Sequence, residues 1–241
     1  MNMLKLLIFD LDDTLYPEID YVRGGFRTVS TYMQKKYKID ANEFYRKLIS
    51  TKSLSPSAKV FDIVLENYQL KDRKLVEKLI KLYRAQTLKL KLFPGVRSML
   101  EKFKKKYILA LVTDGKKVVQ HRKLKYLKII DYFDSVLYTL DLGDNFKKPS
   151  ELSFKQLLYS YGIKPHEALY IGNDPNKDFI GAKKAGIKTI RVNQGFYKDK
   201  AKVEFNDADF MIGSIKELPS LIMKIENPTV AHQLNQKSKT Y

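Results

Sequence analysis

Asp10, Asp12 and Asp13 place three carboxylates within four residues, directly after the run Leu4 to Phe9, which is apolar apart from Lys5. Carboxylates this close repel one another, and behind a buried strand the usual remedy is a counter-ion. Hard divalent cations take oxygen ligands, and magnesium keeps its waters while accepting one or two carboxylates. A second acidic pair, Asp174 and Asp178, follows Gly172-Asn173. A hydroxyl ends another apolar run at Thr113-Asp114-Gly115, and Lys148 precedes Pro149 in a polar stretch. Each of these has a plain structural reading on its own. Thr113 ends a strand, Lys148 is one lysine among many, and Asp114 caps the helix that follows. Asp174 and Asp178 suit the first turn of a helix, where the dipole favours negative charge. Asp13 and Thr14 are read as structural.

Their common context decides between these readings. The apolar runs 4–9, 107–112, 168–171 and 187–192 each stop at a polar cluster, and 135–138 is a shorter run of the same kind. Runs of this sort fit central parallel strands buried on both faces. Amphipathic stretches at 95–106, 116–127, 150–161 and 176–185 lie between them, so strand and helix alternate. That alternation predicts an α/β fold, a Rossmann-like parallel sheet flanked by helices. Ligands of such sheets bind at the carboxyl ends of the strands. The clusters at 10–14, 113–115 and 172–178 therefore converge on one crevice.

Residues 16–92 read differently. Helical patterns cover 20–36, 41–50, 58–68 and 72–90, a turn or hinge is expected at Ser53 to Ser57, and Phe93-Pro94-Gly95 marks the return to the α/β pattern. The expected organisation is an α/β core from 1–15 and 93–226, an inserted α-helical cap at 16–92, and a disordered polar tail at 227–241.

Composition sets further bounds. The chain of 241 residues has no cysteine, which excludes disulfides and thiolate metal sites and makes the cytoplasm the default compartment. No apolar run is long enough to span a bilayer, and the apolar start is too short for a signal peptide. The net charge is +18. It suits attraction of phosphorylated metabolites or nucleic acid. The favoured reading is solvated lysine-rich helix faces, as at Lys102, Lys104, Lys105, Lys106, Lys116, Lys117, Arg122, Lys123, Lys125 and Lys128. No arginine-and-aromatic motif supports nucleic-acid binding. The oligomeric state is not legible.

Phe9-Asp10-Leu11-Asp12-Asp13-Thr14-Leu15 resembles the first motif of the haloacid dehalogenase-like (HAD) hydrolase superfamily, Asp-x-Asp-x-Thr after a strand. Thr113-Asp114-Gly115 resembles the second motif and Lys148-Pro149, with Phe154 downstream, the third. Gly172 to Asp178, continued by Gly181-Ala182 and Ala185-Gly186, resembles the fourth, with Asn173 where many relatives have Asp. The resemblance spans roughly residues 4–195. It implies a magnesium-dependent phosphatase acting on a small phosphate monoester, of nucleoside monophosphate, sugar phosphate or phosphoglycolate type. Asp12 at the second acidic position points to phosphoryl transfer and away from carbon–halogen cleavage. The implied roles follow. Asp10 is the nucleophile and forms an aspartyl-phosphate. Asp12 is the acid and base, and it offers its carbonyl to the metal. Asp10 and Asp174 ligate the cation, while Asp178 completes the second shell or holds Lys148. Thr113, with the backbone around Asp114 and Gly115, grips the phosphoryl group, and Lys148 supplies positive charge. Tyr16, Tyr21, Arg23 and Arg27 are candidates to reach the leaving group.

Three rivals remain at this point. A phospho-accepting receiver module gathers similar residues but lacks a long insertion. A terpene cyclase shares Asp-x-Asp-Asp but needs an all-helical fold. A basic nucleic-acid-binding protein rests on charge alone.

Overall fold

The computed structural model describes residues 3–54, 59–198 and 207–227. Six strands form one parallel sheet: β1 Leu6–Phe9, β2 Ile108–Thr113, β3 Ser135–Tyr138, β4 Ala168–Gly172, β5 Lys188–Val192 and β6 Phe210–Ile212. Their order is β3-β2-β1-β4-β5-β6. β1 pairs with β2 on one side and β4 on the other, with Ile8 opposite Ala110 and Tyr170. The connections leave β1 in opposite directions, so the strand order reverses there. That reversal opens a crevice outside the carboxyl ends of the strands. Asp10, Thr113 and Asn173 all sit at this edge.

The sheet forms because its central strands are apolar on both faces. Leu6 and Ile8 pack with Ala110, Val112 and Tyr170 against Phe154, Leu157 and Phe179. Burying each large side chain contributes roughly 1.5–3 kcal/mol, which fixes register, since a one-residue slip would turn every side chain to the opposite face.

The chain divides into two compact units, one of Met1–Pro17 with Lys91–Tyr241 and one of Glu18–Leu90. The second is the inserted helical domain, with α1 Glu18–Tyr37, α2 Ala41–Leu54, α3 Val60–Glu66 and α4 Arg73–Ala85. Val22, Phe26, Val29 and Met33 follow helical spacing along α1 and share a core with Phe44, Leu48, Leu75 and Leu79. The core unit carries α5 Val96–Phe103, α6 Lys117–Tyr126, α7 Thr139–Leu142, α8 Leu152–Tyr161, α9 Asp178–Lys184 and α10 Leu218–Glu226.

Several expected boundaries change. The fourth helix of the insertion stops at Ala85, short of 90. Gln86 leaves the helical conformation and its side-chain amide donates to the carbonyls of Tyr21 and Tyr83, closing the helix end from the side. The ninth helix begins at Asp178, not 176, because Asp174 to Lys177 form the loop that presents the acidic pair. β6, α7 and α10 were not expected. β6 has three residues, too few to show a period. Helix α2 runs through Ser53 and Leu54. The rest of the hinge expected at 53–57, and all but the first residue of the 227–241 tail, lie outside the described residues. Among the described residues no helix is long and apolar enough to cross a membrane.

Candidate active site

Asp10 follows β1 and keeps its place by donating its backbone N–H to Ile171 at 2.9 Å. Asp10 is 5% exposed. One oxygen accepts from Lys148 Nζ at 2.6 Å, and the other lies 3.2 Å from the Thr14 hydroxyl. The same hydroxyl is 3.2 Å from Asn173 Oδ1, so Thr14 ties the first acidic cluster to the last. Thr14 therefore belongs to the site as well as to the loop.

Lys148 is the centre of the arrangement. Its side chain is fully buried and its ammonium also meets Asp178 at 2.7 Å and the Tyr170 hydroxyl at 3.2 Å. Lys147 is half exposed and pairs with Asp144, so the adjacent lysines have separate fates, as Pro149 suggested. Burial disfavours the Lys148 cation, but Asp10 and Asp178 outweigh it and hold its pKa well above the ordinary value. Two carboxylates divide this one charge unequally. Burial acts on Asp178 too, yet Lys148, Lys177 and backbone N–H groups hold its pKa below normal. Asp10 keeps the deficit: burial, only partly offset by Lys148, pushes it up to about 7.

Asp178 has both oxygens engaged. Oδ1 takes Lys148 and Tyr170, and Oδ2 accepts the backbone N–H groups of Asn173 and Asp174 at 3.0 and 2.8 Å. Of the two roles considered for Asp178, this geometry is the one of holding Lys148. Glycine makes it feasible, because a Cβ on Gly172 would lie 2.6 Å from Asp178 Oδ2. Asp174 is turned differently, with Oδ1 accepting from Asn176 and Oδ2 3.7 Å from Lys177.

Among the described residues no three carboxylate or imidazole side chains close on one point. A cation here would rely on the Asp10 and Asp174 carboxylates, a backbone carbonyl and water. That donor set is all hard oxygen, and the uncompensated burial of Asp10 leaves a positive charge wanting beside it. The residues fit a magnesium-like ion.

Asp12 is held apart from this cluster. Burial would raise its pKa, but Lys123 at 2.7 Å, the Tyr16 hydroxyl and Gln120 at 2.7 Å keep it lowered. Its side chain thus faces protein donors, and any metal contact would use its carbonyl. Tyr16, a candidate for the leaving group by sequence, is fully buried and serves Asp12. Thr113 is buried at the end of β2 and accepts from Gln120 at 2.6 Å. Asp114 does not cap α6, whose N-cap Lys116 makes no side-chain cap bond. It accepts instead from Thr139 at 2.6 Å and from the Lys148 backbone at 3.2 Å, tying the second motif to the lysine loop. Asp13 has φ +57, a conformation Asp tolerates, and accepts the Phe196 N–H at 2.8 Å, a structural role.

The sequence reading missed Lys123, Gln120 and Tyr170. Lys123 was read as a solvated helix face, yet it is 3% exposed. The signal was its phase: Gln120, Lys123, Leu124 and Leu127 recur at helical spacing and share one buried stripe.

The loop around Lys148 depends on Gly181 of α9. A Cβ there would lie 2.7 Å from the Pro149 carbonyl oxygen and 2.6 Å from the Ser150 carbonyl carbon. Gly181→Ala is therefore expected to destabilise the protein by about 1–3 kcal/mol and to lower activity at least tenfold. In a helix without this contact the same change would stabilise by up to about 1 kcal/mol. Chemical denaturation gives the sign.

A family model for haloacid dehalogenase-like hydrolases matches residues 7–192. Glyceraldehyde 3-phosphate phosphatase of Methanopyrus kandleri is 30% identical, over 92% of this chain and 99% of its own. The enzyme of that name from Methanocaldococcus jannaschii is 29% identical, over 93% and 99%. The crystal structure of a HAD phosphatase from Thermococcus onnurineus superposes with a TM-score of 0.63 at 25% identity, covering 91% of this chain and 98% of that one. A match that runs from the first strand through the fifth, with relatives of near-equal length, makes this chain a member of the haloacid dehalogenase-like hydrolase family.

Proposed function

We propose that the protein is a magnesium-dependent phosphatase that hydrolyses a small phosphate monoester through an aspartyl-phosphate on Asp10. One observation carries this reading: the Lys148 ammonium is shared between Asp10 and Asp178 at 2.6 and 2.7 Å, which leaves Asp10 short of positive charge. A divalent cation held by Asp10 and Asp174 would supply that charge and let an anionic nucleophile meet an anionic ester. An Asp10 oxygen attacks phosphorus, the ester P–O bond breaks, and the leaving oxygen takes a proton from Asp12, which must enter this step in its acid form against the donors that hold its pKa down. Asp12 then takes a proton from water, whose oxygen displaces the Asp10 carboxylate. The Thr113 hydroxyl and the backbone around Asp114 and Gly115 hold the phosphoryl oxygens, and Lys148 lends them and Asp10 its positive charge. Acid–base help of this kind is worth roughly 10²–10⁴ in rate.

Relatives named for glyceraldehyde 3-phosphate favour a sugar phosphate among the candidate substrates. The test is a panel of p-nitrophenyl phosphate, triose and hexose phosphates, nucleoside monophosphates and phosphoglycolate, each with magnesium and with chelator. Expected are sustained turnover with magnesium, its loss with chelator, and the highest kcat/KM on a sugar phosphate. No turnover of any ester would reject the phosphatase reading. A single phosphorylation without turnover would favour a receiver-like module.

A further inference from the structure

Gln120 and Lys123 lie three residues apart on α6, so they share one helix face. Both are buried, at 2% and 3% exposure. Burying two long polar side chains is unfavourable unless their partners are fixed. Both acceptors of the Gln120 amide nitrogen are residues to which the phosphatase reading gives a task. That nitrogen donates to Asp12 Oδ2 at 2.7 Å and to Thr113 Oγ1 at 2.6 Å. A carboxylate only accepts, so the nitrogen, and not the oxygen, must face Asp12. The second N–H then fixes the polarity of Thr113: its oxygen accepts from Gln120, which leaves its own O–H to donate elsewhere. Lys123 Nζ meets the other Asp12 oxygen at 2.7 Å, where the Tyr16 hydroxyl also donates. Gly115 leaves the space for this contact, since a Cβ there would lie 2.5 Å from Cγ and Cδ of Gln120.

We infer that Gln120 and Lys123 are positioning residues, which orient the Asp12 carboxylate and set the Thr113 hydroxyl as a donor to the phosphoryl group. The inference rests on the phosphatase reading of the same site. One amide thereby couples the group that grips phosphate to the group that moves the proton. Gln120 and Lys123 act through Asp12 and Thr113, not on the phosphoryl group itself. Their loss should fall on the step that needs Asp12 most.

Rapid mixing with p-nitrophenyl phosphate and magnesium separates the steps. In the first step an Asp10 oxygen bonds to phosphorus and nitrophenolate departs as an anion, a leaving group that needs no proton. In the second, Asp12 takes a proton from water, the water oxygen bonds to phosphorus and the Asp10–phosphorus bond breaks. Gln120→Leu and Lys123→Met are each expected to lower kcat by about 10–100-fold while keeping a nitrophenolate burst near one equivalent. Gln120→Leu should also raise the substrate concentration that half-saturates the burst rate, because the Thr113 hydroxyl loses its fixed direction. Lys123→Arg should recover most of the kcat lost in Lys123→Met. Variant kcat within twofold of wild type, or a burst that shrinks in proportion to kcat, overturns the inference. Where Gln120→Leu fails to fold, Gln120→Met, which keeps the length of the side chain and removes its N–H donors, supplies the same comparison. Absence of turnover by the wild-type protein overturns the phosphatase reading and this inference with it.

Discussion

Lys148→Met is expected to abolish turnover and to destabilise the fold by about 3–5 kcal/mol at pH 8. The side chain is fully buried and holds Asp10 and Asp178 at 2.6 and 2.7 Å. Methionine fills nearly the same volume, so packing is a small part of the effect. What changes is charge: two buried carboxylates lose the one ammonium they share. Breaking a buried pair from one side leaves an uncompensated charge, which is far more costly than never having had the pair. Asp178 keeps the Tyr170 hydroxyl and two backbone N–H groups. Asp10 keeps the long contact from Thr14, a weaker substitute for the ammonium.

The pH dependence provides an internal check. Removing Lys148 removes the attraction that opposes burial at Asp10, so the carboxyl of the variant moves further up from about 7. Below that range Asp10 is protonated in the folded variant and the repulsion with Asp178 disappears. The deficit measured by urea denaturation should thus be smaller at pH 5 than at pH 8. A deficit that does not change with pH would mean that the loss is one of packing and not of charge.

The legibility of this site in the sequence follows its chemistry. Asp10, Thr113 and Asp174 could be found because each interrupts a buried apolar strand, where an unpaired polar group is costly and needs a reason. The strands were legible for the same reason, and their alternation with helices gave the parallel sheet. Lys148 lies in a loop with no periodicity and stood out only through Pro149. Tyr170 was hidden because a tyrosine inside ALYI reads as one more apolar residue; its hydroxyl shows its use only when Lys148 and Asp178 are in place. Lys123 was hidden by company. In a segment with Lys116, Lys117, Arg122, Lys125 and Lys128, charge says nothing about burial, and only helical phase distinguishes it. The acidic pair shows the limit of spacing arguments. Asp174 and Asp178 are equivalent as a pattern, yet one oxygen pair faces Lys148 and two backbone donors while the other faces Asn176 and Lys177.

Asp10→Asn is expected to lose turnover by on the order of 10⁴-fold or more and, in chelator at pH 8, to be more stable than the wild type. The first effect follows from replacing an anionic nucleophile by an amide. The second follows from linkage. The folded-state pKa of Asp10 is raised from 3.8 to about 7, so the folded protein holds a proton that the unfolded chain releases between these values. Stability therefore falls as pH rises from 3.8 to about 7 and stays low above it. The full penalty is at most about 4 kcal/mol, and relaxation around the site would reduce it. Asparagine avoids the charge while its oxygen can still accept from Lys148, which then balances Asp178 alone. A gain of about 1–3 kcal/mol at pH 8, vanishing near pH 4, is the expected result. Magnesium should reverse the order. The wild type gains stability as the ion occupies its site, by about 2.7 kcal/mol at a hundredfold excess over Kd, and the variant gains little. Melting curves at pH 8 with chelator and with magnesium measure both differences. An Asp10→Asn variant less stable than wild type in chelator would show that Lys148 already satisfies Asp10. The cation would then have no deficit to fill, and the argument for a metal beside the nucleophile would fail with it.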